Sequence, residues 1–124
     1  MVREWLAVAV GGLIGTILRH GTVNLFSLMS LSWLPIATLV TNFVGCFAIG
    51  YLAQWSLAQN LENHWWVVGL RAGVLGGLTT FSSFGLDVVR QWQSARPEVA
   101  VGLASAHIFL GIGAVIVGML LARS

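Results

Sequence analysis

Charge is what this sequence has least of. Only 8% of its 124 residues are charged, as six arginines, four acids and no lysine. Ordinary globular chains carry about 25%, and a small soluble domain needs them to cover its large relative surface. This shortage excludes a soluble enzyme, and the 57% hydrophobic content excludes a disordered chain. The arginines are scattered and the net charge is only +2, so the pI of about 9.5 marks no nucleic-acid patch. A single cysteine, Cys46, excludes a disulfide framework and offers no metal-ligand spacing. What remains is an all-α integral membrane protein.

The uncharged runs are long. Residues 20–61 are 42 consecutive positions without Asp, Glu, Lys or Arg, 99–122 are 24 more, and 72–86 a further 15. A transmembrane helix needs about 20 mostly apolar residues. The chain is therefore predicted to span the membrane four times, at 4–27, 34–57, 65–91 and 98–122, as a single domain over 1–124 with no extramembrane domain among them. Turns are expected at 30–35, 59–64 and 93–97; Pro35 and Pro97 stand where a helix begins, a place that tolerates proline. The six tryptophans (5, 33, 55, 65, 66 and 92) all fall near span ends, at headgroup level, where an indole settles. Arg3 before an apolar run has some look of a cleaved signal, but no A-x-A-like site follows and Glu4 sits in what should be a basic region.

With four spans, Arg3, Arg71 and Arg123 fall on one side and Arg19, Arg90 and Arg96 on the other. Orientation follows an arginine and lysine excess, and three against three gives none. Either a short chain scores ambiguously, or it inserts both ways and pairs antiparallel with its own copy.

Most of the glycines (Gly11, Gly12, Gly15, Gly45, Gly50, Gly111, Gly118) fit close helix packing. Asn42 lies mid-span, where an unpaired amide costs several kcal/mol; it either bonds across helices or lines a route and donates N–H to a passing anion. Arg19 either snorkels to the interface or anchors the mouth of such a route. Residues 76–85, GGLTTFSSFG, place three glycines, two threonines and two serines halfway along the third span. A broken helix is expected there, and unwound backbone at that depth is tolerated only when buried in protein or lining a watery cavity. Phe81 and Phe84 would share one helical face. Two phenylalanines so spaced are commonly core, but rings turned edge-on present a positive rim to an anion.

GGLTTFSSF resembles the GGLTTFSTF signature of the Fluc (CrcB) fluoride channels. GGLIGTILRH at 11–20 resembles that family's GGxxGxxxR, and TLVTNFVGCFAIG at 38–50 its N-x-x-G-x-x-x-x-G. The resemblance runs through all four spans and implies a dual-topology, antiparallel homodimer in the plasma membrane. It implies that Asn42, Phe81 and Phe84 line a fluoride path, with Thr80 and Ser82 beside the rings and Arg19 near the entrance. It further implies a central Na+ held by the backbone carbonyls of Gly76 and Thr79 from each subunit. Three positions depart: Ser83 for Thr, Asp87 where many members have Glu, and His107 where the fourth span commonly has Ser or Asn. A neutral His107 imidazole is expected to retain a hydrogen for the path, and protonation would add charge there.

The resemblance thus implies a passive channel exporting cytoplasmic fluoride, with no catalytic residues. Neutral close donors would replace the ion's tight water shell, and no P-loop for ATP is present. A small multidrug exporter, also four spans, needs a deep carboxylate; only Asp87 approaches one, toward the end of the third span. A purely structural membrane subunit would pass no ion at all.

Overall fold

The computed structural model describes residues 1–29 and 35–123. Within hydrocarbon, backbone polar groups must bond within the segment, so apolar runs of this length become helices. Four such helices, long and apolar enough to cross a membrane, are present among the described residues: Val2–Leu28, Ile36–Ala58, Trp65–Gln93 and Pro97–Leu121. The first two are α1 (Val2–Leu28) and α2 (Ile36–Ala58). The third is composite: α3 (Trp65–Val68), a π-helical segment (Gly69–Leu75), α4 (Gly76–Leu78), and, after a break, α5 (Phe81–Gln93). The last is α6 (Pro97–Leu121). Each span begins or ends within two residues of its expected limits. The turn expected at 30–35 lies, apart from Pro35, outside the described residues, as does Trp33.

Both described turns close a helix in the same way. After α2, Asn60 N–H donates to Leu57 O (3.1 Å) and Leu61 N–H to Ser56 O (2.8 Å). After α5, Ala95 N–H donates to Trp92 O (3.2 Å) and Arg96 N–H to Gln91 O (3.1 Å). These paired bonds satisfy carbonyls a helix end leaves open and require one left-handed residue. Asn60 (φ 55°) and Ala95 (φ 56°) supply it, asparagine readily and alanine at some cost. Pro97 then opens α6, where its missing N–H removes no bond. Near the first turn, the rings of Trp55 and Trp66 meet at 5.8 Å.

Helices approach closely where side chains vanish. α1 lies along the first half of the third span. A Cβ on Gly11 would strike Gly69 O, and one on Gly15 the backbone of Val74. In return a Cβ on Gly73 would lie 2.8 Å from Val8 O and one on Gly77 2.6 Å from Gly12 O. Gly69, Gly73 and Gly77 thus form a ladder at four-residue spacing that reading the sequence did not single out. Gly12 corrects the expectation made for it: a Cβ there would meet nothing within 4 Å. On the other side α2 packs on α6, with Gly50 against Val115 and Gly118 against Phe47 and Tyr51. α5 also leans on α6. The break in the third span therefore carries the chain from α1 to α6. Leu13, Ile17, Phe109 and Ile112 stand exposed on the outside, as expected of faces solvated by lipid rather than water.

Candidate functional site

The third span breaks where its threonines end one helix and start another. Thr79 N–H (3.0 Å) and Thr79 Oγ1 (2.8 Å) both donate to Leu75 O, closing the first half. Thr79 (φ −85°, ψ 155°) and Thr80 (φ −153°, ψ 120°) are then extended. Thr80 caps α5, its Oγ1 accepting from Ser83 N–H at 3.1 Å, the usual service of threonine at a helix N-terminus. The same hydroxyl lies 3.2 Å from Ser83 Oγ and 3.2 Å from Ser82 Oγ. A short cluster of hydroxyls thus sits at mid-span.

Asn42 pins this break from α2. Its Oδ1 accepts from Thr80 N–H at 2.8 Å and its Nδ2 donates to Thr80 O at 3.0 Å. Both are backbone groups that a continuous helix would satisfy within itself. Asn42 therefore makes the interhelical bond, and its amide still carries a second hydrogen.

Beside the pin lies a cavity of about 370 Å³. Its wall holds Asn42, Gly76, Thr79, Thr80, Phe81, Phe84 and His107 from the expected set. Arg19 and Ser82 are not in that wall; Ser82 reaches the group only through the Thr80 hydroxyl. Among the residues in it that were not singled out for the site are Cys46, Ile49 and Arg71. Nothing in their sequence context marked them, because facing a cavity depends on helix rotation. Only the arginine, lodged in an apolar segment, was a signal.

Phe81 and Phe84 meet edge to face at 5.4 Å between ring centres and 64° between planes. Phe81 is 83% exposed, so it is not the buried core residue such spacing commonly gives. Phe84 continues onto His107, ring centres 4.3 Å apart. His107 Nδ1 lies 3.0 Å from Leu103 O. A carbonyl only accepts, so Nδ1 holds the hydrogen and the neutral ring's Nε2 is a lone pair, without a hydrogen-bond partner. This corrects the expectation that a neutral His107 offers a hydrogen to the path. Asp87, in α5, accepts from Thr38 Oγ1 at 2.8 Å, a link across to α2 that no spacing in the sequence marks.

The break also frees carbonyls. Thr80 N–H, the helical partner of Gly76 O, is turned to Asn42, and Ser83 N–H, the partner of Thr79 O, is turned to the Thr80 hydroxyl. Among the described residues no backbone N–H outside the helices donates to either oxygen. Both residues line the cavity. Hard monovalent and divalent cations take such oxygen ligands, so these residues fit a cation of that kind. No group of three His, Cys, Asp or Glu able to hold a metal occurs among the described residues.

The model of the family described as CrcB-like protein, Camphor Resistance (CrcB), matches residues 6–119. The chain is 41% identical over 123 residues to a Pseudomonas fluorescens protein named fluoride-specific ion channel FluC, covering 99% of each. It is 39% identical over 123 residues to the protein of that name from Azotobacter vinelandii, again over 99% of each. With the Caulobacter vibrioides protein of that name it shares 38% over 124 residues, 98% of this chain and 97% of the other.

Proposed function

The chain belongs to the CrcB family, and from that premise we propose that it is a fluoride-selective channel. In this reading it releases cytoplasmic fluoride passively across the plasma membrane. The observation that carries the reading is the pinned break: Asn42 on Thr80, at mid-span, beside a cavity lined by amide, hydroxyl and aromatic edges. Relatives bearing the fluoride-channel name match over nearly their whole length.

Fluoride is small and strongly hydrated, so passage requires close donors in place of water. The second amide hydrogen of Asn42, hydroxyl hydrogens of Thr80 and Ser82 once turned from their neighbours in the cluster, and the positive ring edges of Phe81 and Phe84 can supply them. None is a full charge, so the ion is not held too tightly to leave. Bulkier halides cannot approach several such donors at once. The driving force is the membrane potential, worth about 2.3 kcal/mol per unit charge per 100 mV. Hydrogen fluoride entering neutral and ionising inside supplies the anion to be released.

The functional unit in this proposal is an antiparallel homodimer. Supporting it are the balanced arginines and Phe81, an 83% exposed aromatic beside the cavity. Inserting lysines at 59–64 should bias orientation and impair the channel expressed alone; undisturbed activity would count against antiparallel pairing. The freed carbonyls of Gly76 and Thr79 would hold Na+, whose fixed charge would stabilise the break. Replacing Na+ by a large organic cation should then reduce flux, and unaltered flux would remove the ion from the proposal. Arg19 lies nine residues before the end of α1, and in this reading it would act at the entrance. The whole reading is tested by fluoride efflux from proteoliposomes with chloride as control. Fluoride release without chloride release is expected; equal release of both, or of neither, would reject it.

A further inference from the structure

We infer that Arg71 collects anions for the cavity, drawing fluoride from the membrane surface toward the break; this rests on the fluoride reading above. Thr79 stands at the middle of the Trp65–Gln93 span, and Arg71 precedes it by eight residues. At 1.5 Å per residue that is about 12 Å, whereas the half-thickness of the hydrocarbon core is about 15 Å. Arg71 is thus rooted inside the apolar slab, where an ionisable residue marks a functional site.

Its direction comes from the backbone. Arg71 lies in the π-helical segment Gly69–Leu75, whose widened turn relates residues five apart. Arg71 and Gly76 are five apart, and both line the cavity. Arg71 O is the nearest atom to the place where a Cβ on Gly76 would stand, at 3.9 Å. Single-turn π segments inside α-helices frequently mark functional sites.

The surrounding chemistry agrees. Arg71 is half-buried, and none of the four acids of the chain is among the residues lining the cavity. The wall therefore carries one permanent positive charge and no negative one. A low-dielectric cleft lined by one sign of charge raises the local concentration of the opposite ion. Guanidinium suits this role because it is always charged, weakly hydrated and rich in donors. Its place nine residues before Thr80, where Asn42 pins the break, leaves the neutral donors there to pass the ion on.

The test is fluoride efflux from proteoliposomes of wild type, R71Q and R71K over a range of fluoride concentrations, at low and high ionic strength set with an impermeant salt. At low fluoride and low salt, R71Q should carry roughly 3- to 10-fold less flux, in keeping with electrostatic focusing. The deficit should close at high fluoride, and R71K should keep most of the wild-type flux. Added salt should lower wild-type flux at low fluoride while leaving R71Q unchanged. R71Q equal to wild type at low fluoride would overturn the inference. So would a deficit of the same factor at every concentration shared by R71K, which is the mark of a structural role. Should R71Q not assemble, the salt series on wild type decides, and a flat series overturns the inference. A wild type that moves no fluoride overturns the fluoride reading and this inference with it.

Discussion

The two halves of the third span are built on opposite rules. Before the break, Gly69, Gly73 and Gly77 let α1 approach until backbone meets backbone, and hydroxyl groups are absent until Thr79. After it, Thr80, Ser82 and Ser83 share hydrogen bonds and Phe81 stands almost fully exposed. In the first half the glycine contacts with α1 serve packing, where dispersion and close fit hold helices together in lipid. In the second, polar groups are held in place by partners from α2, through Asn42 and Thr38. One half is chiefly an anchor against α1 and the other is held by α2 beside the cavity, and two extended threonines separate them.

The comparison can be broken most severely at its anchor. Gly15→Val puts methyl groups onto the Val74 backbone, which cannot yield as a flexible side chain would. We expect loss of about 1–3 kcal/mol or more, read as a fallen thermal midpoint and poor recovery of folded protein in detergent. Next is the pin. Asn42→Ala leaves Thr80 N–H without its partner, at about 1–3 kcal/mol, takes from Thr80 O, the α5 N-cap carbonyl, a second donor, and should cut fluoride flux more than tenfold. Phe81→Ile removes an aromatic edge from an exposed position, so it should lower flux several-fold while folded yield and thermal midpoint hold. The smallest effect sharpens the contrast: Gly12→Ala meets nothing within 4 Å, so it should be neutral or stabilise by about 0.5–1 kcal/mol through helix propensity. A Gly12→Ala variant as damaged as Gly15→Val would erase the distinction between ladder and bystander glycines.

Much of the fold could be read without coordinates, because uncharged runs and tryptophans at their ends are one-dimensional signals. The broken third span was legible for a similar reason, since GGLTTFSS departs from an apolar run in composition. What was not legible depends on rotation and register. The Gly69, Gly73, Gly77 ladder hides among ordinary small residues until α1 is laid beside it. The π-helical segment has no residue signature, and with it went the facing of Arg71. Asn42 stood undecided between helix bond and route lining, and the structure shows the helix bond to Thr80 with the amide also bordering the cavity. His107 went the other way: its backbone bond to Leu103 removes the hydrogen that a bare imidazole seemed to offer. Arg19, singled out by motif, is not among the residues of the cavity wall, while Arg71, singled out only for its side of the membrane, is.

The most direct measurement is fluoride and chloride efflux from liposomes holding equal amounts of folded wild type or Asn42→Ala. Wild type should release fluoride and retain chloride, and Asn42→Ala should release more than tenfold less fluoride. Undiminished, still selective fluoride release from Asn42→Ala would contradict a route that depends on the amide held against Thr80.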